Sequence, residues 1–137
     1  MGENRWVPAQ REMTRFLEIL DGHQKVVSFE KTSSSPVLIR IERVYGDKLH
    51  VLLTDIYTLG VVDVRRAFKE ADDIDILVTM SSWNAYSLKA ENLGKKNGIG
   101  VFNGTEFFGA LWWSDNINDY VKKDNDGEPI KFYRSTS

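Results

Sequence analysis

The sequence predicts an α/β fold, a single domain with a mixed central sheet of about five strands flanked by helices. Three observations predict it. Short apolar runs of strand length alternate with segments of helical period. Two of those runs, Leu49–Tyr57 and Asp73–Met80, look buried, the first almost continuously apolar as in strands covered on both faces. The 137 residues, 42% hydrophobic and 28% charged, suit one domain and are too apolar for disorder.

Residues 1–9 read as an arm, 10–114 as the domain and 115–137 as a polar extension. From Pro8 to about Asp21, Met13, Phe16, Leu17 and Leu20 recur at spacings of three and four, with Arg11, Glu12, Arg15 and Glu18 on the other faces. Asp21-Gly22 ends that helix. Lys25–Glu30 is a short strand, broken by Thr32-Ser33-Ser34-Ser35-Pro36. Val37–Val44 alternates, with Val37, Ile39 and Ile41 opposed to Arg40 and Glu42. Tyr45-Gly46-Asp47-Lys48 is a hairpin turn into Leu49–Tyr57.

Thr58–Ala71 follows as a helix, with Val61, Val64, Ala67 and Phe68 inward and Arg65, Arg66 and Lys69 outward. Asp73–Met80 is a strand, Ser87–Lys96 a helix, Gly98–Phe102 a short strand, and Thr105–Trp113 a helix opened by Asn103-Gly104. Beyond Asp115 the chain predicts a helical turn and a loose tail. The order is therefore α-β-β-β-α-β-α-β-α, and right-handed crossovers place helices on both faces of the sheet.

Several function classes drop out. With no cysteine there is no thiolate zinc site, iron–sulfur cluster or cysteine nucleophile. Two histidines, His23 and His50, do not build a metal site alone. A net charge of −2 supplies no field that draws the chain to nucleic acid or anionic membranes. No apolar run reaches the roughly 20 residues that cross a bilayer, and the first residues lack a signal-peptide core, so a soluble, cytoplasmic protein with no membrane contact is expected. Asn103-Gly104-Thr105 fits a glycosylation acceptor and, without a secretory signal, reads better as a turn.

The element order resembles the restriction-endonuclease-like, PD-(D/E)xK nuclease core. The second half is similar to the C-terminal half of Mrr-type restriction endonucleases, through Leu77-Val78-Thr79, Ser87, Ala90, Gly98-Ile99, Phe102-Asn103-Gly104, Glu106 and Leu111. The resemblance covers about residues 10–113. It implies a divalent metal, magnesium or manganese, held by one acid at the start of the second strand and one on the third, with a lysine two residues later.

Here the third strand reads Thr54-Asp55-Ile56-Tyr57, so Asp55 stands at the second acid and Tyr57 replaces the lysine. The second strand begins Ser33-Ser34-Ser35-Pro36 and holds no acid. A single carboxylate binds magnesium poorly, so no cofactor is expected and Asp55 is the metal ligand only under an active-nuclease reading. If Gly46 faces Asp47 across the turn, Arg40, Glu42, Asp55 and Tyr57 share one face. That cluster is either an altered metal site with Glu12 added from the first helix, or a structural network in which Arg40 neutralises the carboxylates. A permanent cation in the space of the metal favours the network.

Other residues carry further readings. Arg65, Arg66 and Lys69, with Lys89, Lys95 and Lys96, form either a phosphate-contacting face for DNA or RNA or a solvated surface among acids. Ser81–Ser87 follows a strand end, where open α/β sheets bind ligands. Ser82, Trp83 and Ser87 are its candidates for anion or base contact, with Tyr86 beside Trp83 for stacking, against a loop capped by Ser87 whose aromatics cover the sheet end. Phe107, Phe108, Trp112 and Trp113 crowd one short helix, a surface for a homodimer or protein partner. The leading expectation is a nuclease-fold domain without a working nuclease site, acting as a nucleic-acid-associated or protein-interaction module. Its rivals are a divergent magnesium- or manganese-dependent nuclease using Asp55 with Glu42 or Glu12, and a nucleotide or small-anion binder at the Ser81–Ser87 loop.

Overall fold

The computed structural model describes residues 4–135. The elements are β1 (Asn4–Arg5), α1 (Gln10–Asp21), β2 (Val26–Ser34), β3 (Val37–Arg43), β4 (Lys48–Ile56), β5 (Thr58–Leu59), α2 (Val61–Glu70), β6 (Ile76–Thr79), β7 (Ala85–Tyr86), α3 (Leu88–Lys96), β8 (Gly100–Asn103) and α4 (Gly104–Ala110), then a 3-10 turn at Ile117–Asp119. Six strands form one mixed sheet in the order β2-β3-β4-β6-β8, with β1 also beside β4. Strands β2, β3 and β4 are antiparallel, whereas β4, β6 and β8 run parallel. The result is an α/β domain with helices on both faces of a mixed sheet.

Two cores flank that sheet, because β4 sends alternate side chains to opposite faces. Leu49, Val51 and Leu53 join Met13, Phe16 and Leu20 of α1 and Phe107 of α4 on one side. Leu52 and Ile56 join Val64 and Ala67 of α2 and Ala90 of α3 on the other. This double covering explains the nearly continuous apolar run in β4. Each of the largest of these side chains contributes about 1.5–3 kcal/mol on burial.

Several boundaries differ from expectation, each for a physical reason. Strand β2 runs on through Thr32, Ser33 and Ser34, which pair with β3 at Ser33↔Leu38 and Ser34↔Val37. As an exposed edge it has no need of apolar residues there. The helix expected from Thr58 starts at Val61, because Thr58 and Leu59 are extended and pair with Ala85 and Tyr86. The Asp63 carboxylate accepts from the Gly60 N–H and fixes that start. Asn103-Gly104 opens a helix as expected, so Asn103-Gly104-Thr105 is a helix start rather than a free turn, with Asn103 as the buried N-cap whose side chain accepts from the Glu106 N–H.

The arm and the tail are both built into the fold. Its described part includes β1, paired as Asn4↔Ile56 and Arg5↔Asp55, which adds the sixth strand; residues 1–3 lie outside the described residues. Strand β1 takes over that edge of β4 just where β3 leaves it at Leu53. The tail is not loose. Tyr86 N–H donates to Phe132 O and Arg134 N–H donates to Tyr86 O, a strand-like strap along β7; residues 136–137 lie outside the described residues. No helix among the described residues is long and apolar enough to cross a membrane.

The β3–β4 register overturns the expected cluster. The pairs are Glu42↔Lys48, Arg40↔His50, Leu38↔Leu52 and Val37↔Leu53. Gly46 facing Asp47 would set Arg40 opposite Leu53, so the shift is three residues, and an odd shift moves side chains to the other face. The cause is a wider turn, held by Arg43. Its guanidinium is buried and binds Asp47 at 2.9 and 2.6 Å, and it reaches the carbonyls of Leu111 and Trp113 at 3.2 and 2.5 Å. That contact ties the hairpin to the chain beyond α4.

Candidate strand-end cleft

The parallel strands end in a row of polar residues, Thr54, Thr79 and Asn103, paired side by side across the sheet. All three are fully buried. Thr54 Oγ1 donates to Val78 O at 2.8 Å. Thr79 Oγ1 donates to Ile56 O and accepts from the Ile56 N–H and from Asn84 Nδ2. Asn103 Nδ2 donates to Asn84 O at 3.1 Å, so this row holds the β6–β7 loop in place.

Asp55 hangs from this row. Its Oδ1 accepts from Ser81 Oγ and from Asn84 Nδ2, each at 2.7 Å. It is buried, on the face of β4 that carries Leu53, whereas Arg40 belongs to the opposite face and pairs with Glu30 at the surface. Glu42 sits opposite Lys48 on β3, far along the strand from Asp55. Tyr57 lies exposed just past β4, its ring under the Arg134 guanidinium at 3.7 Å. The sheet therefore does not gather Arg40, Glu42, Asp55 and Tyr57. Among the described residues no three His, Asp or Glu side chains gather to hold a metal ion. The residues at Asp55 do not fit the divalent ion that the sequence resemblance implies, because its donors are a hydroxyl and an amide.

A second buried acid lies beneath α4. Glu106 Oε1 accepts from the Asn103 N–H at 3.1 Å, and Oε2 accepts from Tyr86 OH at 2.7 Å. Burial outweighs both hydrogen bonds and pushes its carboxyl up to about 7. Burial raises Tyr86 as well, with the Glu106 charge adding to it. Nearby, Glu91 accepts from Tyr133 OH at 2.6 Å and Lys131 Nζ at 2.9 Å, which anchors the strap. Burial, then the bond to Glu91, raises Tyr133. The sequence assigns no site role to Thr79, Asn84, Glu91 or Arg134. Only the Asn103-x-x-Glu106 spacing carried a local signal, that of a capping box.

Above Asp55 opens a cleft of about 240 Å³, between α1, the β6–β7 loop and the start of α4. Glu12, Arg15, Phe16 and Ile19 line it from α1, Met80, Ser81, Ser82 and Trp83 from the loop, and Gly104, Thr105 and Phe108 from α4. It is preformed. A Cβ at Gly104 would stand 1.8 Å from Met80 O, so only glycine lets the two backbones meet. Arg134 Nη2 donates to Trp83 O at 3.1 Å and braces the loop.

Of the loop candidates, Ser82 and Trp83 are exposed at the cleft, whereas Ser87 is buried and its hydroxyl caps α3 by accepting from the Ala90 N–H. Arg65 and Lys69 are exposed on α2, away from that lining, as are Lys89, Lys95 and Lys96 on α3. Arg66 is engaged: it pairs with Glu70 and stacks on Trp6 at 4.3 Å. That pairing holds the Glu70 carboxyl below its ordinary value. Of the crowded aromatics, Phe107 is core, and Trp112 and Trp113 lie past the end of α4, half exposed. Trp112 packs on His23 and Trp113 on Tyr120.

No family profile, curated protein or solved structure matches the chain.

Proposed function

We propose that this chain is a non-catalytic binding domain on a restriction-endonuclease-like scaffold, with its site at the carboxyl ends of the parallel strands. One observation carries the reading. Asp55, the carboxylate that a nuclease of this resemblance would turn onto its metal, is spent on Ser81 Oγ and Asn84 Nδ2. The position two residues later is a tyrosine covered by Arg134. A lone carboxylate whose Oδ1 accepts from a hydroxyl and an amide stabilises a loop, and one carboxylate is a poor holder of a divalent ion.

The test is incubation of the purified chain with supercoiled, linear and single-stranded DNA and RNA, plus magnesium or manganese. Asp55→Ala, prepared identically, controls for contaminating nuclease. The expected result is no cleavage attributable to the wild type. Cleavage by wild type and none by Asp55→Ala would instead establish the divergent nuclease, with Asp55 as its ligand. A ligand-binding role is the form of this reading that the cleft favours, since Ser82, Trp83 and Thr105 present polar and aromatic groups around an apolar floor.

A further inference from the structure

We infer that the cleft binds a free α-amino acid with an apolar side chain, an inference that rests on the domain being a binder rather than a nuclease. The size comes first. At about 240 Å³ the cleft lies below the range of roughly 300–1,000 Å³ that suits drug-sized ligands. It takes one large side chain, not a dinucleotide. Phe16, Ile19, Met80 and Phe108 supply apolar walls for that side chain.

The mouth then selects the head group. Glu12 and Arg15 stand three residues apart on α1, both lining the cleft. At that spacing their Cβ atoms are about 5–6 Å apart, and opposite charges ordinarily pair along the helix. Here neither side chain makes an ion pair or hydrogen bond with another described residue. One carboxylate and one guanidinium, side by side and unspent, match a molecule that carries an ammonium and a carboxylate on a single carbon. The Trp83 indole, 54% exposed, lines the same cleft, and an aromatic ring attracts an ammonium that stands over it. Ser82 and Thr105 offer hydroxyls that both donate and accept.

The same charges argue against a nucleotide. A phosphate brings up to two negative charges to a mouth with one cation, and Glu12 beside it repels them. A peptide terminus carries only one of the two required charges. The zwitterion alone satisfies both groups.

Isothermal titration of the full chain with L-phenylalanine and L-leucine tests the inference, with N-acetyl-L-phenylalanine, L-phenylalanine amide and AMP as comparison ligands. A Kd on the order of 0.1–1 mM is expected for the free amino acids, as befits so small a ligand. Each capped derivative should bind at least about tenfold more weakly, as should L-phenylalanine to Glu12→Gln and to Arg15→Gln. Neither residue belongs to the buried Met13, Phe16 and Leu20 face of α1, and circular dichroism checks that the variants fold. No binding of either amino acid at about 10 mM would overturn the inference. So would capped derivatives that bind as well as the free ones, or AMP binding more tightly. Absence of both binding and cleavage sinks the ligand assignment alone, whereas Asp55-dependent cleavage overturns the binding role with it.

Discussion

Replacing Glu106 by glutamine should make this protein more stable at pH 8. The carboxyl is buried, and burial lifts it from its ordinary 4.5 to about 7. In the unfolded chain it gives up its proton near 4.5, so between about 4.5 and 7 the native state holds a proton that the unfolded state lacks. Linkage then requires stability to fall as pH rises through that window. The contribution is complete below about 4.5 and gone above about 7. At about 1.4 kcal/mol per pH unit the loss amounts to about 3 kcal/mol. Glutamine has the shape of the protonated acid. Its carbonyl can accept from the Asn103 N–H and its amide can donate to Tyr86 OH, replacing both contacts without a charge. Urea unfolding of both proteins at pH 5 and pH 8, followed by circular dichroism, gives the comparison. The variant should match wild type at pH 5 and exceed it by up to about 3 kcal/mol at pH 8. A difference that does not change with pH, or a variant less stable at pH 8, refutes the reasoning.

Three other substitutions probe the contacts that frame the site. Arg43→Lys keeps the charge but loses the fork that grips Asp47 and the carbonyls of Leu111 and Trp113, and should cost about 3 kcal/mol in urea unfolding. A loss under about 0.5 kcal/mol would mean that the pair does not hold the turn. Gly104→Ala drives a Cβ to 1.8 Å from Met80 O, and should lower stability by about 3 kcal/mol or more or leave no folded protein; an unchanged melting temperature would contradict the close approach. Arg134→Ala removes bonds to Tyr57 O, Thr58 Oγ1 and Trp83 O, and should speed hydrogen exchange at the Tyr86 and Arg134 amides while costing about 1 kcal/mol. Unchanged exchange would show that the strap is held by Glu91 alone.

The helices and buried strands were legible because a period of 3.6 or of 2 is written directly into residues such as Met13, Phe16 and Leu20, or Val37, Ile39 and Ile41. The turn between β3 and β4 was not. Gly46 and Asp47 suggest a tight reversal, but Asp47 belongs to the turn as the partner of Arg43, and its backbone carbonyl accepts from the Arg43 N–H. The alternation of β3 puts Arg43 on the face of Val37, Ile39 and Ile41. Nothing local announces that its guanidinium will find carbonyls some 70 positions later. That one contact sets the register, and the register decides which face every polar residue of β3 occupies. The proposed cluster of Arg40, Glu42, Asp55 and Tyr57 failed for this reason. The strap escaped for a related one: Lys131, Tyr133 and Arg134 look like a charged tail until Glu91, Tyr57 and Trp83 are seen to wait for them.

Stability alone does not account for the polar row at the strand ends. Thr54 and Thr79 occupy buried positions that β-branched apolar residues would fill with less desolvation, and a buried polar network of this kind repays its cost only when every member is satisfied. This one is not, because Asn84 Oδ1 is buried without a partner. An unpaired buried acceptor costs about 1–3 kcal/mol. What the row does achieve is placement. Asn84 and Ser81 fix Asp55, Asn103 fixes the loop, and Gly104 presses the start of α4 against Met80, so Ser82, Trp83 and Thr105 are held at the mouth of the cleft before anything binds there. Rigidity obtained at the expense of stability is what the proposed binding role requires of its site.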